Sequence, residues 1–347
     1  MSADVDFRPL EGVSVVDFTV TLPGPYATWL LANLGATVVK LEPPDGDPCE
    51  PLVPDLYEAL SWNKDTRRVD LKSSEGLAAA REVAATADIA LEGWRPGVAD
   101  RLGVGWPALS ALNPGLIYCS LSGYGQTGDL TLQPGHDLNY QALAGALNLA
   151  GSHAHAPPPF FPIADLGASL FAVIGVLAAL EERRHTGAGR YLDVAATDTV
   201  LALLAPAVSP RRDNAQFVPT LPHYGAFQAS DGAWIALGVV YEDHFWNGLH
   251  TVLGLPDEYA SLDMWQRAER GDELRMAIAE RMGRRPASEW LSAFAEADVP
   301  AGPVQTVQQA ISGDHFLDRG VVRDFPDGRR IVSPIRPGPS RMTGEQP

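Results

Sequence analysis

Two carboxylates and a histidine are the residues of this sequence best placed to do chemistry. His136 and Asp137 stand side by side in Gly135-His136-Asp137-Leu138-Asn139-Tyr140, and Asp165 begins an apolar run as Ala164-Asp165-Leu166. A carboxylate can attack an activated carbonyl and carry an acyl group covalently. A His and an Asp facing one carbon can instead remove and return a proton beside a carbonyl. Each residue also has a plain structural use. Asp137 after Gly-His reads as a helix cap, Asp165 as the N-cap of a helix starting at Leu166, and His136 as a packing or hydrogen-bonding side chain. Capping and catalysis are compatible at Asp165.

Four cations follow predicted strands. Lys40 lies at the end of one, Lys72 at a strand-to-helix junction, Arg95 in the Gly93-to-Gly97 loop and Arg101 just beyond it. The carboxyl edge of a parallel sheet is where α/β proteins bind ligands, and a helix N-terminus favours anions. Singly, each cation reads as a solvated surface charge; their recurrence points to an anionic ligand. The chain itself is acidic, with a formal net charge of -17 and a pI near 4.8. That balance argues against non-specific nucleic-acid binding and against an anionic membrane surface. An anion must therefore be held by a few well-placed cations and backbone N–H groups. His153 and His155 form a His-x-His pair, but no Cys or further His lies near them, so no metal site is expected. His244 and His315 read as structural.

The elements that would position these residues alternate between strand and helix. Val13 to Phe18 is a short β-branched run, followed by a turn with Pro23, Gly24 and Pro25, a helix over Tyr26 to Leu34 closed by Gly35, and a strand over Thr37 to Leu41. This is a βαβ unit, which predicts a parallel sheet with right-handed crossovers. Further strands are expected at Val69 to Leu71, Ile89 to Leu91, Leu116 to Ser120 and Tyr191 to Val194. Helices are expected from Ser73 or Ser74 to about Thr86, over Pro107 to Leu112, and over Asp165 to Arg184. The fold class is α/β, Rossmann-like in topology, without the GxGxxG of a dinucleotide site.

From about Ala205 to Pro222 the chain turns Pro-rich and reads as a linker. Beyond it, Tyr224 to Gln228 and Trp234 to Gly238 form a hairpin through Asp231-Gly232. Helices over His244 to Leu253, Leu274 to Met282 and Ala287 to Ala297 follow, then a strand-like piece at Val299 to Val304. The expected division is a large domain over 1–205, a small α+β domain over 206–310, and a segment 311–347 returning to the large domain.

The 347 residues are 46% hydrophobic and 20% charged, a globular profile. Cys49 and Cys119 are too sparse for a disulfide framework and read as reduced thiols of a cytoplasmic protein. The first nine residues do not read as a signal peptide. The longest apolar stretch, Leu166 to Leu180, is short for a membrane span and fits a buried helix.

Read in order, these fragments resemble the family III CoA-transferases, the group that also includes the 2-methylacyl-CoA racemases. The resemblance is carried by Leu10-Glu11-Gly12-Val13, Pro23-Gly24-Pro25, Leu34-Gly35-Ala36, Val39-Lys40-Leu41-Glu42-Pro43-Pro44 and Trp62-Asn63-Lys64. It continues through Asp70-Leu71-Lys72-Ser73, Glu92-Gly93-Trp94-Arg95-Pro96-Gly97, Ser122-Gly123-Tyr124-Gly125, Gly135-His136-Asp137-Leu138-Asn139-Tyr140, Ala164-Asp165-Leu166 and Gly302-Pro303-Val304.

The resemblance implies an interlocked homodimer of subunits with a Rossmann-like large domain and a smaller one. It implies a coenzyme A thioester as substrate, a carboxylic acid as second substrate, and no permanently bound cofactor. The CoA contacts it implies are Lys40, Leu71, Lys72, Gly93, Trp94, Arg95 and Arg101, since CoA's three phosphoryl groups need cations and N–H donors. In the transferases an aspartate, matched here by Asp137, carries the acyl group and then the CoA. In the racemases a His and an Asp, matched by His136 and Asp165, exchange the α-proton, and a Glu matched by Glu242 supports the His. The transferase reading is preferred and the racemase reading is the alternative. The glycine-rich lid of some transferases is missing: Pro219-Thr220-Leu221-Pro222-His223-Tyr224-Gly225 stands where it would fall. Leu143, Leu147, Phe160 and Phe161 are candidate acyl-pocket lining, or simply core.

Overall fold

A computed structural model describes residues 7–149, 161–207 and 221–337. The chain divides into two compact units, one made of Met1–Val208 with Arg323–Pro347 and the other of Ser209–Val322.

The first unit is built on six parallel strands: β1 (Ser14–Asp17), β2 (Thr37–Glu42), β3 (Asp65–Arg68), β4 (Ile89–Glu92), β5 (Ile117–Ser122) and β6 (Arg190–Ala195). They lie in the order β3-β2-β1-β4-β5-β6, paired in parallel throughout. This is the doubly wound arrangement, whose strand order reverses between β1 and β4. Val16, Ile89, Leu91 and Ile117 are almost fully buried, as continuous apolar strands covered on both faces must be.

The third strand differs from expectation. Val69 and Leu71 are not in it; they follow it and pack, partly buried, against the apolar cluster around Val16 and Phe18. The strand is Asp65–Arg68, Asp-Thr-Arg-Arg, with Arg67 Nη2 2.5 Å from Asp65 Oδ2. It sits at the sheet edge, where charged side chains face solvent and discourage pairing with another chain, so no apolar run marks it.

The helix Ile163–Thr186 is long and apolar enough to cross a membrane by length and composition. Here one side of it, including Ala164, Ala168, Ala172 and Val176, is buried in the main core with Leu31 and Ile117. A further helix, Ala196–Leu203, follows β6 directly without any breaker between them. Cys49 and Cys119 are buried free thiols.

The second unit carries an antiparallel sheet of β7 (Gly225–Gln228), β8 (Trp234–Leu237) and β9 (Ala301–Pro303). Helices Asp243–Leu253, Met264–Met282 and Ala287–Glu296 complete it. Met264–Met282 is kinked at Gly271, whose φ of 46° is left-handed, so the helix begins ten residues before the predicted Leu274. Phe227, Ile235, Trp246, Leu274 and Phe294 form its own core. The remaining strands, β10 (Val322–Phe325) and β11 (Gly328–Ile331), pair with each other. Most of the predicted linker, His153, His155 and Phe160 lie outside the described residues.

Candidate active site

The two acids of the sequence motif adjoin but differ in what surrounds them. Asp137 is the first residue of the helix Asp137–Leu143. Its Oδ1 accepts the backbone N–H groups of Ala164 at 2.8 Å and Asp165 at 3.1 Å, and its Oδ2 accepts Gln141 Nε2 at 2.5 Å. Both oxygens are therefore committed. Asp137 caps the start of the other helix, Ile163–Thr186, and satisfies N–H groups that have no partner within that helix.

Asp165 lies in the first turn of that helix, half-buried. Among the described residues no group donates a hydrogen bond to its carboxylate. Burial and, next, the negative charge of Asp137 push its carboxyl up to about 6, against the opposing influence of His136. Among the described residues it is the less satisfied of the two acids.

His136 is exposed at the N-terminal boundary of the Asp137–Leu143 helix, where its backbone N–H donates to Asn139 Oδ1 at 3.0 Å. Four residues on, and so on the same side of the helix start, Tyr140 donates its hydroxyl to the Gly135 carbonyl at 2.6 Å. The Tyr140 ring leaves no room on either flank. A Cβ at Gly123 would lie 2.5 Å, and one at Gly135 2.7 Å, from its Cε1. Tyr124 meets the ring edge-on at 5.2 Å. Burial, with the charge of Asp165 next, pushes the Tyr140 phenol up to about 12, while Arg95 opposes the rise. Tyr140 therefore stays a hydrogen-bond donor at neutral pH.

A cavity of about 390 Å3 opens beside these residues, and Gly93, Trp94, Arg95, Tyr124, His136 and Tyr140 line it. Its floor comes from the turns after β4 and β5, at the carboxyl ends of the strands next to the order reversal, where ligands of such sheets bind. The structure thus brings Gly93, Trp94 and Arg95 together with His136. Tyr124 and Tyr140 were not predicted as site residues. The four-residue spacing from His136 could have found Tyr140.

The other predicted contacts fall differently. Arg101 is exposed in the helix Val98–Leu102 that follows the Arg95 turn. Lys72 is exposed immediately before the Ser73-capped helix Ser74–Thr86, and Leu71 beside it is half-buried. Lys40 does not reach solvent. It is 0% exposed, with Nζ 2.6 Å from Asp47 Oδ2 and 3.0 Å from Glu42 Oε1. Burial alone would lower its pKa, but Asp47 and Asp17 more than offset that and hold it above the ordinary value. Its charge is thus already paired with two buried carboxylates, unlike the exposed Lys72, Arg95 and Arg101. Its partner is brought back by a turn through Gly46, whose φ is 83°. Glu242 belongs to the second unit, at the N-cap of the helix Asp243–Leu253. No group of three His, Cys, Asp or Glu among the described residues is placed to hold a metal.

Comparison with known proteins gives a consistent result. The model of CoA-transferase family III matches residues 10–346. The succinyl-CoA–L-malate CoA-transferase alpha subunit of Chloroflexus aurantiacus is 33% identical over 90% of this chain and 78% of its own length. The acetyl-CoA:oxalate CoA-transferase of Acetobacter aceti is 32% identical over 87% of this chain and 82% of its own. Among solved structures, a CAIB/BAIF family protein from Brucella suis superposes with a TM-score of 0.83 at 28% identity, covering 95% of this chain and 92% of its own.

Proposed function

The chain belongs to CoA-transferase family III, and from that premise we propose that it moves coenzyme A from an acyl-CoA to a free carboxylic acid with the Asp165 carboxylate as covalent carrier. The relatives described above are named for a CoA thioester and a small dicarboxylate, L-malate or oxalate, so small dicarboxylates are the acceptors to test first.

The proposed sequence balances at every step. An Asp165 oxygen attacks the thioester carbonyl, the C–S bond breaks, and a mixed anhydride and CoA thiolate result. The thiolate attacks the aspartyl carbonyl, releasing the first acid as its carboxylate and leaving an aspartyl-CoA thioester. The incoming carboxylate attacks that thioester and expels thiolate again. Thiolate then takes the new acyl group and frees Asp165.

One observation carries the choice of Asp165: both Asp137 oxygens are occupied by N–H donors, whereas among the described residues Asp165 receives none, and it is held with a raised pKa. Sequence alone pointed to Asp137; its hydrogen bonds suit it to positioning. Arg95 and Trp94 at the cleft, with Arg101 in the helix that follows and Lys72 before the helix Ser74–Thr86, are assigned to the CoA moiety. An α-proton exchange through His136 and Asp165 is the other reading; the names of the relatives do not favour it. An interlocked homodimer is proposed from the family resemblance, and the exposed row Leu170, Ile174 and Leu177 on the long helix supports an apolar contact of that kind.

The test is hydroxylamine trapping during turnover with succinyl-CoA, followed by peptide mapping. A hydroxamate at Asp165 is expected. A hydroxamate at Asp137 would reverse the two roles. Deuterium entry at the α-carbon of a 2-methylacyl-CoA in D2O, without an acceptor acid, would replace transfer by racemisation.

A further inference from the structure

A buried acid lies directly beneath the cleft. Glu92 is the last residue of β4 and is 4% exposed. One of its oxygens, Oε2, accepts the backbone N–H of Trp94 at 2.8 Å, so the turn folds back over the side chain that precedes it. Ser120 is its cross-strand neighbour on β5 and favours the charged carboxylate. The Ser120 hydroxyl lies 3.2 Å from that of Tyr191 on β6. Glu92 thereby ties the Gly93-Trp94-Arg95 turn to the end of its own strand, beside Ser120 of β5. The Trp94 ring rests 5.9 Å from Phe18, which completes the anchor on the β1 side.

Building on the CoA-transferase reading of the cleft, we propose that Glu92 is a positioning residue that shapes the Gly93-Trp94-Arg95 turn for the acyl-CoA and releases it on protonation. Glu92 does not line the cavity; it acts through the turn. The charged and titratable groups that act on it among the described residues include Asp100 from the following helix, Tyr118 and Cys119 from β5, and Tyr191 and Asp193 from β6. No cation offsets its charge among these. Burial first, with Asp100 and Asp193 adding to it, raises the carboxyl to about 7 against the lowering by Ser120 and Trp94. Ionised, Glu92 accepts a charge-assisted bond from the Trp94 N–H. Protonated, it loses that assistance, and the turn loosens as pH falls below about 7.

Two readouts test this, one of them independent of any ligand. Hydrogen exchange of the 93–97 backbone is measured in the ligand-free protein at pH 6 and 8 for the parent, Glu92→Gln and Glu92→Ala. Relative to intrinsic rates, the parent is expected to lose protection over 93–97 at pH 6, Glu92→Ala to show low protection at both values, and Glu92→Gln to show no such pH step. Steady-state kinetics with succinyl-CoA should show KM in the parent rising several-fold from pH 8 to 6 beyond the change in Glu92→Gln. The ligand's own phosphate titration is common to both enzymes, so the difference isolates Glu92. Glu92→Ala should raise KM about tenfold with kcat within twofold, and Glu92→Gln should show at both pH values the KM that the parent shows at pH 6. Unchanged exchange at 93–97 in Glu92→Ala overturns the proposal. If that variant does not fold, identical exchange and KM profiles for the parent and Glu92→Gln overturn it. A loosened turn in a protein that does not use succinyl-CoA would keep the positioning role and remove the acyl-CoA reading of the cleft.

Discussion

The carboxylate of Asp137 accepts the backbone N–H of Asp165 at 3.1 Å, so one acid is fixed in place by the main chain of the other. Twenty-eight positions of sequence separate them, yet their charges act on each other directly. Asp137 holds a helix start, and among the described residues nothing donates to the Asp165 carboxylate.

Asp165→Asn should abolish transfer, by a factor of at least ~1000 in kcat, since covalent carriage has no substitute. The same variant should be more stable than the parent at pH 7.5. Asp165 titrates near 6 in the folded state against 3.8 ordinarily, so its ionised form opposes folding. That penalty is fully present above about pH 6 and disappears below about pH 4. The gain, about 1–2 kcal/mol after discounting for partial solvation, should vanish in melting curves recorded near pH 4.

kcat should fall with acid through a limb near pH 6, where Asp165 takes up its proton. Asp137→Asn removes the neighbouring charge and should shift that limb to lower pH. A limb that stays put in Asp137→Asn would mean that a different group titrates.

Asp137→Ala leaves the Ala164 and Asp165 N–H groups uncapped. A loss of about 1–2 kcal/mol in denaturant unfolding is expected, with a larger fall in kcat than in Asp137→Asn.

Gly135→Ala would place a methyl group 2.7 Å from Tyr140 Cε1, so the ring or the His136 turn must move. At least a tenfold loss of kcat/KM is expected. Tyr140→Phe, which removes only the 2.6 Å bond to the Gly135 carbonyl, should cost about 1 kcal/mol of stability and a smaller part of the activity.

Lys40→Met and Arg95→Ala should separate cleanly. Breaking the buried Lys40 pairs leaves Asp47 and Glu42 enclosed without their cation, at a cost of about 3–5 kcal/mol in unfolding. Arg95→Ala should leave the melting temperature unchanged and raise KM for succinyl-CoA about tenfold, by an amount that shrinks with added salt. A KM effect from Lys40→Met at constant stability would give it a direct role.

Alternation of β-branched strands with apolar helices made the doubly wound sheet legible, because buried parallel strands advertise themselves. Asp65–Arg68 did not, since an edge strand is defined by backbone pairing rather than by apolar side chains. Sequence motifs also marked His136, Asp137, Asp165 and the Gly93–Arg95 turn as candidates. They could not reveal the surroundings of Asp137, because the donors that occupy it come from Ala164 and Asp165, far along the chain. Nor could spacing reveal that Lys40 turns inward, because its partner Asp47 depends on the fold of the Gly46 turn.

The helix Ile163–Thr186 presents the positive end of its aligned peptide dipoles to the place where Asp165 sits. Left open, that end would favour the charge on Asp165 and make it a feebler nucleophile. The Asp137 carboxylate already occupies it. Asp165 consequently keeps the electron density of a more basic oxygen while remaining ionised at neutral pH, the balance between reactivity and charge that the proposed acyl carriage requires.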